Sequence, residues 1–179
     1  MYRVLVQGTI GPMLQPSDVV VLLALDSVEP KWTLRSLAEL LGVKHSKVQR
    51  ALERLEVAGL YDASRRRPVP HTTEEFVLHG LRYLHPLREG PLARGFPTAW
   101  GAAPLNSEIS TNDPPPVWPH PRGPVRGPAV EPLDERLPEL IYSWPELTEL
   151  AALTDALRLG DARSREAAAA HLRTRLGGR

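Results

Sequence analysis

The chain has no cysteine among its 179 residues, which excludes a disulfide framework and any thiolate zinc site, whether finger, ribbon or knuckle. No run reaches the ~18 apolar residues needed to span a bilayer, and the first residues lack the basic-then-apolar pattern of a secretory signal. A soluble, cytoplasmic protein without membrane contact is expected. Also missing are a Gly-rich phosphate loop, a nucleophile elbow and an HExxH pair. The six histidines (His45, His71, His79, His85, His120, His171) fall at no metal-ligand spacing. His79 and His85, on one helix, would point to different sides. The sequence therefore predicts no enzyme, no catalytic residue, no metal site and no cofactor.

Net charge is nearly absent too, at +1, but the charges are segregated. From Lys44 to Arg67 seven Lys/Arg face three Asp/Glu, from Glu131 to Gly160 two face seven, and from Asp161 to the end five face two. A nucleic-acid footprint is a local patch rather than a global isoelectric point, so the first of these segments matters most. Proline, by contrast, is in excess. Its 19 copies are about twice the usual share and crowd the middle of the chain.

Residues 2–10 (YRVLVQGTI) are rich in β-formers and predict one short strand. LQPSDVVVLLALDS predicts a helix capped by Ser17, with Asp18 in its first turn, where the dipole favours a negative charge. Its apolar residues run continuously, which predicts burial on most sides, and Pro30 ends the segment. Thr33 can cap a second helix, Leu34 to Leu41, closed by Gly42 in a left-handed conformation. After a short turn, His45 or Ser46 opens a third helix with an apolar stripe at Val48, Ala51, Leu52, Leu55 and Ala58, stopped by Gly59. Leu60 and Tyr61 begin a strand, and the basic, proline-bounded DASRRRPVP (62–70) suits a hairpin tip and a return strand. Thr72-Thr73-Glu74-Glu75 matches a capping box ahead of a helix through Phe76, Val77, Leu81 and Leu84, ended by Pro86.

From Pro86 to Pro132 no periodicity survives, and glycine and proline recur every few residues. A regular helix or central strand is not expected there. The segment reads as an extended, partly polyproline-like arm, with Trp100, Leu105, Ile109 and Trp118 as anchors to its own domain or to a partner. Its PxxP spacings at Pro116–Pro119 and Pro121–Pro124 are common by chance in such sequence. A helix from Leu140 to Leu159, with Leu147, Leu150, Leu153 and Leu157 on one side and Gly160 as stop, and another from Arg163 to Leu176 predict a C-terminal hairpin.

In LRSLAELLGVKHSKVQRALERL (34–55) small Ala38 falls where two helices cross closely, and Gly42 falls at the turn four residues on. Leu37, Leu41, Val43, Val48 and Ala51 fill positions that must be apolar. This register resembles the helix-turn-helix family. With the preceding helix and the following basic hairpin, residues of about 14–85 are similar to the winged helix domains of bacterial transcription regulators. The resemblance implies a winged helix-turn-helix domain, placed at 1–86; with the Pro/Gly-rich arm read at 87–132 and the helical hairpin at 133–179, the expected fold is mainly α (α+β).

The surface chemistry agrees. A helix fits the major groove of B-DNA and reads base edges from its N-terminal part. Among the outward residues of the third helix, Ser46, Gln49 and Arg50 are candidates for base contacts, since Arg pairs bidentately with guanine and Gln with adenine. Lys44, Lys47 and Arg54 are candidates for phosphates, with His45 beside them. Arg65, Arg66 and Arg67 at the wing tip would follow the backbone or enter a narrow minor groove. The expected function is a sequence-specific transcription regulator, a repressor, binding double-stranded DNA as a homodimer on paired half-sites. The alternative is a protein-interaction subunit, such as an autoregulating antitoxin, whose arm and acidic C-terminal helices bind a partner protein.

Overall fold

The computed structural model describes residues 13–28 and 31–176. The strand expected at 2–10 and Pro30 lie outside them. Helix α1 (Pro16–Ser27) starts earlier than a Ser17 cap would allow, because Pro16 occupies its first position and Gln15 is the cap. Proline suits that position: its missing N–H would have had no partner anyway, and its φ is already helical. Asp18 reaches back to accept from the Gln15 N–H at 2.8 Å. From Val19 to Ala24 the helix is nearly sealed from solvent, as an apolar run without a polar face requires. It packs against both the third helix and the C-terminal part of the chain.

Helix α2 (Leu34–Leu41) is capped by Thr33, whose hydroxyl accepts from the Ser36 N–H at 3.0 Å. It ends on Gly42 at φ +65, a left-handed conformation that glycine adopts without a Cβ penalty. Helix α3 (His45–Val57) follows, opened by His45 as expected, and its cap is Lys44, which makes no side-chain cap bond. Val48, Ala51, Leu52 and Leu55 face inward, while Ala58 lies exposed beyond the helix end. Strands β1 (Tyr61–Asp62) and β2 (Arg67–Pro68) pair antiparallel, Tyr61 opposite Pro68 and Asp62 opposite Arg67.

The expected capping box at 72–75 does not form. Helix α4 (Pro70–Glu75) begins on Pro70 after Val69, again because proline fits the first helical position. The Thr72 and Thr73 hydroxyls instead donate to the Gly59 and Leu60 carbonyls, at 2.9 and 3.4 Å. They fasten the helix to the start of the hairpin. A π-helical turn (Phe76–Gly80) and α5 (Leu81–Leu84) complete this segment.

The proline-rich middle overturns the expectation of no central strand. Strands β3 (Leu92–Pro97), β4 (Val117–Pro119) and β5 (Val125–Pro128) form an antiparallel sheet with β3 in the centre. The physical reason lies in the glycines that looked like breakers. A Cβ on Gly95 would stand 2.2 Å from the Trp118 carbonyl oxygen, and one on Gly127 1.8 Å from that of Pro115. Backbones approach this closely only where there is no side chain. The prolines fall at the last position of each strand, where one fewer N–H does least harm to the ladder. Trp118 and Leu105 are fully buried anchors, and Trp100 and Ile109 pack against the core from partly exposed positions.

The helix expected from Leu140 to Leu159 starts later, at Pro145, and a separate short helix precedes it. Helix α6 (Leu137–Leu140) ends before Trp144, and α7 (Pro145–Leu159) restarts on a proline. Trp144, at φ −145 and ψ 68, is kept out of the helical region by the ring that follows it. Leu147, Leu150, Leu153 and Leu157 are all buried, each contributing roughly 1.5–3 kcal/mol of transfer free energy. Helix α8 (Ala162–Leu176) packs back on α7 through Ala168, Leu172 and Leu176. One apolar cluster runs from Val19 to Leu176 and takes side chains from all three segments of the chain. Among the described residues the fold is mixed α and β, mainly helical, with two small antiparallel sheets. Among the described residues no helix is long and apolar enough to cross a membrane.

Candidate nucleic-acid interface

The local rules that set α2 and α3 also set the surface they offer. The left-handed turn at Gly42 redirects the chain, so the N-terminus of α3 emerges beside α2. The Val43 N–H donates to the Ala38 carbonyl at 2.9 Å and locks the turn. The apolar stripe of α3 faces α1 and α2, which leaves Lys44, His45, Gln49 and Arg50 exposed and Ser46 and Lys47 half-buried.

These candidates differ in what already holds them. Lys44 and His45 have no ion-pair or hydrogen-bond partner for their side chains among the described residues. Arg50 donates from Nε to the Ser46 carbonyl at 3.1 Å, which steadies the side chain and leaves the outer guanidinium nitrogens available. Gln49 lies within 3.2 Å of Glu53, donating to its carboxylate. Lys47 is paired with Asp134 of the C-terminal segment, Nζ to Oδ2 at 2.7 Å, so its charge is matched from 87 residues away.

Arg54 is not part of the outer face. It turns inward and makes a two-pronged contact with Asp18, Nε to Oδ2 at 2.7 Å and Nη2 to Oδ1 at 2.6 Å. Asp18 is fully buried and the Arg54 side chain is 13 % exposed. The hydrogen bond it donates to the Asp18 carboxylate holds the guanidinium in its charged form, raising its pKa against the opposing effect of burial. Arg54 therefore tethers α3 to α1, and Asp18 does more than balance a helix dipole.

The three hairpin arginines also part ways. Arg65 donates to Asp62 at 3.1 Å from its side chain and at 3.0 Å from its backbone N–H. Hydrogen bonds from Ser64 first, and then from the Arg65 backbone, hold the Asp62 carboxyl below the usual range. Arg66 sits at φ +55, folds its guanidinium over the Trp32 ring at 4.5 Å and donates to the Trp32 carbonyl at 2.7 Å. Arg67, at the start of β2, is exposed and unpaired among the described residues.

No protein-family model, no curated protein and no solved structure matches this chain. The geometry of the site therefore carries the functional reading by itself. Among the described residues no group of three or more His, Asp or Glu is placed to hold a metal. His85 carries a buried Nε2 without a partner among the described residues, and its pKa is lowered first by burial and then by nearby Arg158. Sequence reasoning missed the partners Asp18, Asp134 and Trp32. No local pattern could have found them, because each lies far along the chain from the cation it binds.

Proposed function

We propose that this chain is a DNA-binding transcription regulator of the winged helix kind. Helix α3 enters the major groove and the β1–β2 hairpin lies along the flanking backbone. The observation that carries this reading is the asymmetry of α3. Its inner face is buried on α1 and α2, while its N-terminal outer face presents Lys44, His45, Ser46, Gln49 and Arg50. Those are the positions from which a helix reads base edges and grips phosphates. In this reading Arg50 and Gln49 read bases, Lys44 binds phosphate, and Arg65 and Arg67 extend the grip from the hairpin. Two copies on paired half-sites would supply the affinity that one short helix lacks, and occupation of a promoter would make the protein a repressor.

The test is a titration of the full chain against DNA from its own upstream region, with a scrambled competitor, at about 150 mM salt. Site-selective binding of roughly 10⁻⁸ M or tighter supports the reading, and the footprint length reports one copy or two. Weak binding, equal for both DNAs, overturns it. A partner-binding subunit of the antitoxin kind draws less support from the geometry. Such a protein needs a tail free to wrap its partner, and here Trp118 of the arm is buried in the chain's own core.

A further inference from the structure

The surface around α3 includes a cation contributed by the other half of the chain. Arg136 precedes α6, is exposed, and has no carboxylate partner among the described residues. Its Nη1 lies 3.8 Å from where a Cβ on Gly42 would stand, which puts the guanidinium against the turn between α2 and α3. Arg136 also lines a crevice with the apolar residues Val20, Val21, Leu41, Val43 and Leu140, a surface against which a long cation can lay its methylenes while its head stays in water.

Asp134 ties the Arg136 backbone to α3. Oδ1 accepts from the Arg136 backbone N–H at 3.0 Å, and Oδ2 accepts from Lys47 at 2.7 Å. With its side chain only 8 % exposed, Asp134 matches the Lys47 charge and leaves that of Arg136 unmatched. Among the described residues, Lys44 and Arg136 are then cations without partners that flank the turn.

We propose that Arg136 is a phosphate-contacting residue of the DNA interface, gripping the backbone beside the groove that α3 enters. This rests on the DNA-binding reading above and adds that the interface is built from both halves of the chain. A purely structural role is the competing account. Helix α2 has no basic residue in its last turn, so a guanidinium beside Gly42 would also offset the negative end of its dipole.

Salt dependence separates the two. The observed binding constant for duplex DNA is measured from about 50 to 200 mM salt for the full chain, Arg136→Ala, Arg136→Lys and Arg122→Ala, with thermal unfolding alongside. Arg122 is a surface arginine already paired with Glu139 at 2.9 Å, so its loss lowers net charge without removing the proposed contact. Arg136→Ala is expected to flatten the log K against log salt slope by about 0.9, one phosphate contact. Arg136→Lys and Arg122→Ala are expected to keep it. An unchanged slope with a lowered unfolding temperature in Arg136→Ala would make the residue structural and overturn the proposal. Equal flattening by Arg122→Ala would overturn it too, by reducing the effect to net charge. If the unsubstituted chain shows no salt-dependent DNA binding, the DNA-binding reading itself falls and this inference with it.

Discussion

Asp155 and Arg50 lie in regions that handle charge in opposite ways. Asp155 sits on α7, almost wholly enclosed, and each of its oxygens is answered. Oδ2 accepts from the Trp118 indole at 2.7 Å and the Thr98 hydroxyl at 2.9 Å, while Oδ1 accepts from Arg158 at 2.7 Å. Arg158 in turn donates to the His85 carbonyl at 2.8 Å. One carboxylate thus joins the proline-rich sheet, α7 and the end of α5. Arg50 is exposed, and its single contact is with its own helix. A buried charge persists only where partners offset several kcal/mol of desolvation. An exposed, unmatched cation contributes almost nothing to folding. The first kind of residue is explained by the fold, while the second is left free to meet a partner outside it.

The largest test of that contrast is Asp155→Ala. It leaves Arg158 without its carboxylate and the Trp118 and Thr98 donors without an acceptor. Removing one member of a buried pair costs about 3–5 kcal/mol, so the unfolding midpoint in denaturant should fall steeply, and the arm should become more open to proteolysis. A loss below about 1 kcal/mol would mean that the sheet is held by its apolar contacts alone. Arg50→Ala should do the reverse. Its effect on unfolding should stay within ~0.5 kcal/mol, as for an ordinary surface site. Discrimination between the cognate and a scrambled DNA should drop by about 1–3 kcal/mol, the worth of one good base contact. Equal loss toward both DNAs would take Arg50 away from the bases.

The same contrast explains what could be read in advance. The α2–turn–α3 unit was legible because its signals are local: the Thr33 cap, Gly42 at the turn, and the spacing of Val48, Ala51, Leu52 and Leu55. Every one acts within a few residues. The fate of each cation was not legible. Arg54 and Arg50 look alike on a helix projection, and only Asp18, 36 residues away, draws Arg54 inward. The central sheet was hidden for a related reason. Gly95 and Gly127 carry no sign of whether they loosen the chain or let another strand come close, and the strand that comes close is set by distant pairing. Short polar motifs misled where a stronger local rule competed, as when Pro70 began α4 ahead of the Thr72–Glu75 box.

The finest division runs within the hairpin itself. Arg66 and Arg67 are neighbours of the same type, yet Arg66 is committed to the Trp32 ring and carbonyl while Arg67 is unpaired. Arg66→Ala should therefore act on stability. A partly exposed cation–π contact contributes about 0.5–1 kcal/mol, and the strained φ of +55 persists with alanine. The salt slope for DNA should hardly move, because a guanidinium folded onto Trp32 releases few counterions. Arg67→Ala should leave unfolding unchanged and flatten the slope by about 0.9. Were both substitutions to flatten the slope equally, Arg66 would have to leave Trp32 on binding. The hairpin would then rearrange on the DNA rather than meet it preformed, and the tryptophan fluorescence of Trp32 should change with each equivalent of duplex added.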